Sequence, residues 1–347
     1  MKTRIFAVLL WSIAWMLRGQ LVETAKNDIN LYLRHYAQPA FEANLYNFAE
    51  GWSHGAGVLK PWHLKLDISA AYTFIPSSKQ EFVFESSCYN YLRVLDSVGN
   101  ETISPVNLPT FAGGSSPYRL ELKIPASVPG TYDRLITDVP PGYRDEIQQL
   151  VNFLPVGLPG AMVQLNMGLP AGFEVMLRFL PKLSFGDLQT GLTGLGLKYD
   201  IGRWIFKKDS RFSWSWAAAY TAGNIRHGVP ELEDFEAQFD MRLVQFQTYL
   251  SYRISVLNLY VRAGYLYGTS SFMLKGETTY SYDVVDENGD VLFTYQESIS
   301  DPVDLQYQLA APEGALGILL NLKYFHIFAQ YNLNAYTGLH AGISFTY

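Results

Sequence analysis

Ten separate stretches of this chain alternate apolar and polar residues with a period of two. In residues 62–76, Leu64, Leu66, Ile68, Ala70, Tyr72 and Phe74 share one face, opposite Lys65, Asp67, Ser69 and Thr73. In 173–180, Phe173, Val175, Leu177 and Phe179 oppose Glu174 and Arg178. In 192–201, Leu195, Leu197, Tyr199 and Ile201 oppose Gly194, Gly196, Lys198 and Asp200. The pattern recurs in 161–168, 212–221, 244–254, 257–267, 315–323, 325–334 and 340–347. A period of two is that of a β-strand, and the lengths suit a tilted strand crossing a bilayer, ~9–11 residues. A soluble sandwich also alternates. Here the polar faces hold charges near mid-strand and the apolar faces hold none, while aromatic residues gather towards strand ends, as membrane-barrel girdles do.

Other features agree. Lys2 and Arg4 precede an apolar run from Ile5 to Leu17, with the small Gly19 beyond. That is the form of a secretory signal peptide over residues 1–19. Past it, no apolar run approaches the ~18 residues of a spanning helix. A closed barrel is the other structure that satisfies its backbone inside lipid. Its alternation explains how 15% aromatic residues coexist with a mean hydropathy of only +0.01. Removal of 1–19 leaves 23 basic against 32 acidic residues, a charge of −9 that argues against nucleic acid as a partner. The one cysteine, Cys88, cannot form an intramolecular disulfide.

The connections add direction. Short turns at 169–171, 203–210, 255–256 and 323–325 fall on one side, and loops at 181–191, 222–235 and 276–305 on the other. Periplasmic turns are short and external loops long in outer-membrane barrels, so both termini are expected in the periplasm. Residues 77–159 form a long insertion that could add a strand pair, around 79–86 and 118–125, and a short helix at 144–152. The expected fold is therefore all-β: a closed antiparallel transmembrane β-barrel over 62–347, with about 12 strands in a range of 10–14. Residues 20–61 are expected as a short N-terminal helical segment, periplasmic or plugging the lumen. Asn27 or Asp28 would be its N-cap, and Pro39 would break or kink it.

The C-terminus reads HAGISFTY. His340, Gly342, Phe345 and Tyr347 resemble the terminal signal by which the outer-membrane assembly machinery recognises its barrels. More narrowly, YLRHYAQPAFEANLYNFAEGW, VMLRFLPKLSFGD and GLGLKYDI resemble an uncharacterised family of Bacteroidota outer-membrane proteins. The plan is similar to the fatty-acid-transporter type of barrel, whose N-terminal residues plug the lumen. The resemblance implies location in the outer membrane and no specified activity.

Neither G-x-S-x-G nor H-E-x-x-H occurs, and the six histidines have no ligand spacing. No catalytic residue, metal site or cofactor is assigned, so no enzyme is expected. DENGD at 286–290 reads as a hairpin turn and ELEDFE at 231–236 as a solvated acidic loop. The candidate site is the inner face: Lys65, Arg178, Lys198, Arg253, Arg262 and Lys323, with Asp67, Glu174 and Asp200, and with His326 near His340. An excess of three positive charges there predicts a passage preferring anionic solutes, led by Arg178, Arg253 and Arg262. Expected partners are outer-membrane lipid, the assembly machinery and a small or amphipathic solute. The alternatives are an accessory barrel binding envelope proteins and, more remotely, a membrane hydrolase.

Overall fold

The structure, a computed structural model, describes residues 23–102, 105–125, 132–150, 153–185, 188–207, 210–228, 236–285 and 291–347. Helix α1 (Glu23–Ala49) precedes β1 (Leu64–Phe74). A cap follows, with β2 (Glu81–Phe84), β3 (Leu92–Leu95), β4 (Val106–Pro109), β5 (Arg119–Pro125), β6 (Tyr132–Asp138) and α2 (Arg144–Leu150). The chain continues through β7 (Gly157–Leu169), β8 (Phe173–Phe185), β9 (Leu188–Asp200), α3 (Gly202–Ile205), β10 (Phe212–Gly228), β11 (Glu236–Ile254) and β12 (Leu257–Lys275). A hairpin, β13 (Glu277–Val285) and β14 (Val291–Ser300), leads to β15 (Val303–Leu322), β16 (Phe325–Asn332) and β17 (Gly338–Thr346).

Ten strands close an antiparallel barrel in the order β1-β17-β16-β15-β12-β11-β10-β9-β8-β7. Each alternating stretch of the sequence supplies one of them. Closure joins β1 to β17 with Leu66 opposite Phe345 and Ala70 opposite Ala341. The expected twelfth and eleventh strands are not in the wall. β2 pairs with β4, and β5 lies between β3 and β6, both in separate small sheets. Length explains the difference: β2 has four residues and β5 seven, too few to cross a bilayer at a tilt.

The short links 170–172, 201–211, 255–256 and 323–324 share one end of the barrel, the turn end. Ala171 and Gly172, Ser255 and Lys323 adopt positive φ there to reverse the chain tightly. At the other end, the described parts of 181–191 and 222–235 are strand rather than loop, with 186–187 and 229–235 outside the described residues. β8 runs to Phe185 before β9 resumes at Leu188, and β10 runs to Gly228. DENGD at 286–290 and residues 231–235 of ELEDFE lie outside the described residues, as does the segment 1–19.

Polarity inverts part-way along the long strands. Lower on β11, Val244, Phe246, Leu250 and Ile254 are exposed on the outer face, while Gln245, Gln247 and Ser251 are buried inside. Higher up, Asp240 and Arg242 face out, and Ala237, Phe239, Met241 and Leu243 face in. β15 repeats the change: Leu316 and Ile318 are exposed low down, whereas Val303, Leu305 and Tyr307 are buried high up. The lower part is built for lipid outside and polar groups inside. The upper part has water outside and an apolar bore.

α1 fills that bore. Phe41 stacks on Tyr307 with ring centres 4.1 Å apart and also meets Phe239 and Phe272. Pro39 sits within the helix rather than ending it. Burial of neighbours on every side, including Tyr36, Ala37, Phe41 and Ala43, outweighs a local cost of ~3 kcal/mol. Helix assignment begins at Glu23, so Asn27 and Asp28 are not its N-cap. Asp28 instead accepts the N–H groups of Tyr91 and Leu92 in the cap, at 2.6 and 3.0 Å. Tyr36 donates to the Pro141 carbonyl at 2.8 Å, and its own carbonyl accepts from Phe111, also at 2.8 Å.

The direction of α1 is unexpected. Near its start, Asn30 accepts from the Asp304 N–H at 3.0 Å, at the long-loop end. At its finish, Gln245 donates to the Ala49 carbonyl at 3.0 Å, inside the membrane-facing zone. Residues 50–61 continue down to the turn end, where the Trp62 N–H meets the Gly168 carbonyl at 2.8 Å and Tyr347 pairs with Leu64. The described chain therefore starts at the end opposite Tyr347, not beside it.

Candidate functional site

The lower lumen is occupied by the segment that joins α1 to β1. Glu50, Trp52, Ser53, His54 and Ala56 are each buried to 4% exposure or less. The turn out of the helix needs Gly51, which has φ of +81° and whose missing Cβ would lie 2.7 Å from the His340 ring. Gly194 and Gly196 leave room on the wall for Trp52, whose ring a Cβ at either position would approach to 2.9 Å. Gly194 and Gly196 are thus the seat of an indole.

Polar contacts hold the segment. Glu50 receives Arg262 at 2.7 and 3.0 Å, Gln330 at 2.7 Å and Asn334 at 3.2 Å. Arg262 also approaches Glu313 at 3.6 Å, and Glu313 accepts from Gln247 at 2.8 Å and Gln245 at 3.2 Å. Arg178 donates to the carbonyls of Phe48 and Glu50 at 2.8 and 2.7 Å, and its guanidinium lies 4.1 Å from the Trp52 ring centre. Lys198 donates to Ser53 Oγ and to the carbonyls of Gly55 and Gly57, at 2.6 to 2.8 Å. Glu174 accepts the Leu59 N–H at 2.9 Å. Asp67 accepts from Asn166 at 2.6 Å, pairs with Lys65 at 3.3 Å and lies 3.7 Å from His54.

Of the candidates read from sequence, Lys65, Asp67, Glu174, Arg178, Lys198 and Arg262 surround this segment. Arg253 and Lys323 do not. Both are exposed at the turn end, where Lys323 lies 4.9 Å from the Tyr324 ring and occupies a positive-φ turn position. Asp200 is at the same rim, accepting the Arg203 N–H at 3.2 Å. Alternation continued to the last residue of each strand, but the side chains there have left the lumen. His326 is bonded to Thr346 at 2.8 Å, and in the ladder it stands opposite Ser344, not His340. His340 stacks instead near His54 and Phe328, at 5.5 Å from each. Gly342 makes space for Phe328, whose ring a Cβ there would approach to 2.6 Å. Phe345 and Tyr347 face outward and are exposed.

Glu50 and Glu313 were missed. Glu313 has the parity of the inner face of β15 and lies two residues before the stretch read as alternating. Glu50 has no periodic signal, because it follows a helix. With both acids added, Lys65, Arg178, Lys198 and Arg262 face Asp67, Glu174, Glu50 and Glu313. Among the described residues four basic groups meet four acidic ones, and the positive excess expected of the lumen is gone.

Solved structures of outer-membrane barrels are similar to this chain at low levels. Ail, the attachment invasion locus protein of Yersinia pestis, is 11% identical, with 83% of this chain and 100% of that one covered and a TM-score of 0.25. The translocator domain of the autotransporter NalP from Neisseria meningitidis is 8% identical, with 94% and 99% covered and a TM-score of 0.27. The P. putida toluene transporter TodX is 9% identical, with 82% and 67% covered and a TM-score of 0.24. Likenesses this low fix neither strand number nor activity. No curated protein matches the sequence. One family model spans residues 1–347, and by it the chain belongs to the family of unknown function DUF6588.

Proposed function

We propose that this chain is an outer-membrane barrel closed at rest by its own residues 50–57, and that it opens to pass small or amphipathic solutes. The observation that carries the reading is the polar character of the plug–wall contact. The helix above is held mainly by apolar packing, but residues 50–57 are held through Arg178, Lys198, Arg262 and Gln330. Water can replace such contacts one by one, whereas an apolar seat would expose its whole area at once. This reading assigns no catalysis and no cofactor. It includes insertion by the assembly machinery through the C-terminal strand, with Phe345 and Tyr347 towards lipid.

A second reading is an accessory barrel that holds envelope partners through the cap at residues 75–156. The separate sheets β2–β4 and β3–β5–β6, packed on the exit of the barrel, favour it. Conductance in planar bilayers separates the two. Wild type should be mostly closed with brief openings, and a variant lacking residues 23–57 should conduct steadily. Heat-modifiable migration on gels would verify that this variant forms a barrel. A folded variant that stays silent would exclude a passage and leave the accessory reading.

A further inference from the structure

Glycine and alanine line one sector of the lower lumen. On the inner face Arg178, Gly194 and Thr221 stand side by side on β8, β9 and β10, and Met176, Gly196 and Ala219 form the next row down. Below them, Lys198 lies between Glu174 and Ala217. The small side chains of the two upper rows leave a notch in the wall, with Arg178 at one edge and Lys198 at its foot.

The indole of Trp52 fills the notch. Its six-membered ring rests on both glycines: a Cβ on Gly194 would meet Cη2, and one on Gly196 would meet Cε3 and Cζ3, each at 2.9 Å. The Arg178 guanidinium covers the indole at 4.1 Å from its ring centre, a cation–π contact. The indole N–H is buried and makes no hydrogen bond among the described residues. The notch therefore holds the aromatic face and makes no use of the nitrogen.

The polar groups at the upper edge of the notch are only partly satisfied. Arg178 Nε and Thr221 Oγ1, from the residues flanking Gly194, are buried and make no hydrogen bond among the described residues. The other Arg178 nitrogens donate to the carbonyls of Phe48 and Glu50 and to Gln164, all neutral acceptors. The wall acids are engaged elsewhere: Asp67 pairs with Lys65, Glu313 with Arg262, and Glu174 stands opposite Lys198. A carboxylate takes two parallel N–H groups from one guanidinium, and such charged bonds are roughly twice as strong as those to neutral acceptors.

We propose that this notch is a binding site for aromatic carboxylates, with the ring on Gly194 and Gly196 and the carboxylate on Arg178 and Thr221, and that Trp52 occupies it in the closed state as a built-in stand-in. The inference rests on the reading of residues 50–57 as a removable plug and names the solute class that displaces it. A solute of this class competes with Trp52 for the ring seat and with the plug carbonyls for Arg178, so its arrival loosens the plug.

The test is equilibrium dialysis of the full chain in detergent against three probes: indole-3-acetate, the uncharged indole-3-acetamide of the same shape, and the aliphatic hexanoate. Trp52→Ala empties the notch, and Trp52→Leu is a milder second variant should the first not form a barrel by heat-modifiable migration. Either should bind indole-3-acetate about tenfold more tightly than wild type does, and about tenfold more tightly than it binds the other two probes. Binding no tighter than in wild type would overturn the site, as would equal binding of the three probes. In wild type, indole-3-acetate should quicken amide exchange of residues 50–57. If the Trp52 variants bind it while wild-type exchange stays unchanged, the site stands and the removable plug fails. If wild type opens in bilayers yet neither variant binds, the plug stands and the site fails.

Discussion

Arg262 of the wall and Glu50 of the plug meet at 2.7 Å with both side chains at 1% exposure or less. Removing one partner leaves the other charged and buried, at a cost of about 3–5 kcal/mol. Arg262→Gln or Glu50→Gln should therefore unseat residues 47–57 while the barrel persists. Hydrogen exchange would register faster labelling of those residues, together with longer openings in bilayers. Exchanging both for Met and Leu should disturb the plug less than either single change. A single variant with wild-type exchange and conductance would mean that the pair does not hold the plug.

An opened lumen should discriminate weakly between ions. Among the described residues four basic and four acidic side chains line its lower part, so the field they focus largely cancels. In the variant lacking 23–57, removing Glu50 leaves an excess of one positive charge from the wall, and a small anion preference is expected under a salt gradient. Arg253→Gln and Lys323→Gln should leave the reversal potential unchanged, since both side chains are exposed at the rim.

Gly317 is expected to tolerate no side chain. A Cβ there would collide with the Tyr260 ring, whose hydroxyl donates to Gln330 Oε1 at 2.9 Å. Gln330 in turn donates to Glu50. Gly317→Ala should cost about 1–3 kcal/mol as this chain of contacts shifts. A lowered urea midpoint for heat-modifiable migration would measure it, and an unchanged midpoint would show that Tyr260 moves freely.

The contact between α1 and the cap should weaken in acid. His35 stacks on Phe82 at 5.4 Å, and partial burial, then the nearby Arg34 charge, hold its imidazole below the ordinary value. The unfolded chain then binds more protons than the folded one as pH falls through ~6.5, so this contribution is present at neutral pH and lost below it. Amide exchange at residues 79–84 should quicken between about pH 7 and 5, and His35→Gln should flatten that dependence. A wild-type profile without the step would remove His35 from the account.

The wall was readable because alternation survives in every one of its strands, and Lys65, Arg178 and Arg262 could be put on the inner face by parity alone. Parity says nothing about where a strand meets water, so Arg253 and Lys323 were counted inside. It also inverts above Leu243 and Tyr267, where an apolar inner face cannot be told from a lipid-facing one. That is why β8, β10 and β11 were read as shorter than they are. The plug was invisible for a different reason: Glu50, Trp52 and His54 follow no period, and their positions come from matching Gly194, Gly196 and Arg262 on strands far away in sequence. An unbalanced set of basic residues in the predicted lumen was the one hint that acids had to come from elsewhere.

The path of α1 also constrains how the molecule is made. The helix enters from the long-loop end, yet its chain leaves at the turn end to become β1, and β1 pairs with β17 to complete the circle. Side chains from six or more wall strands grip residues 41–57, so this stretch cannot be drawn through a finished ring. The first part of the chain must instead be laid down as a mandrel, and the later strands wound about it. Joining β17 to β1, the pairing of greatest sequence separation, is then the step that locks the core in and the one that topology makes slowest.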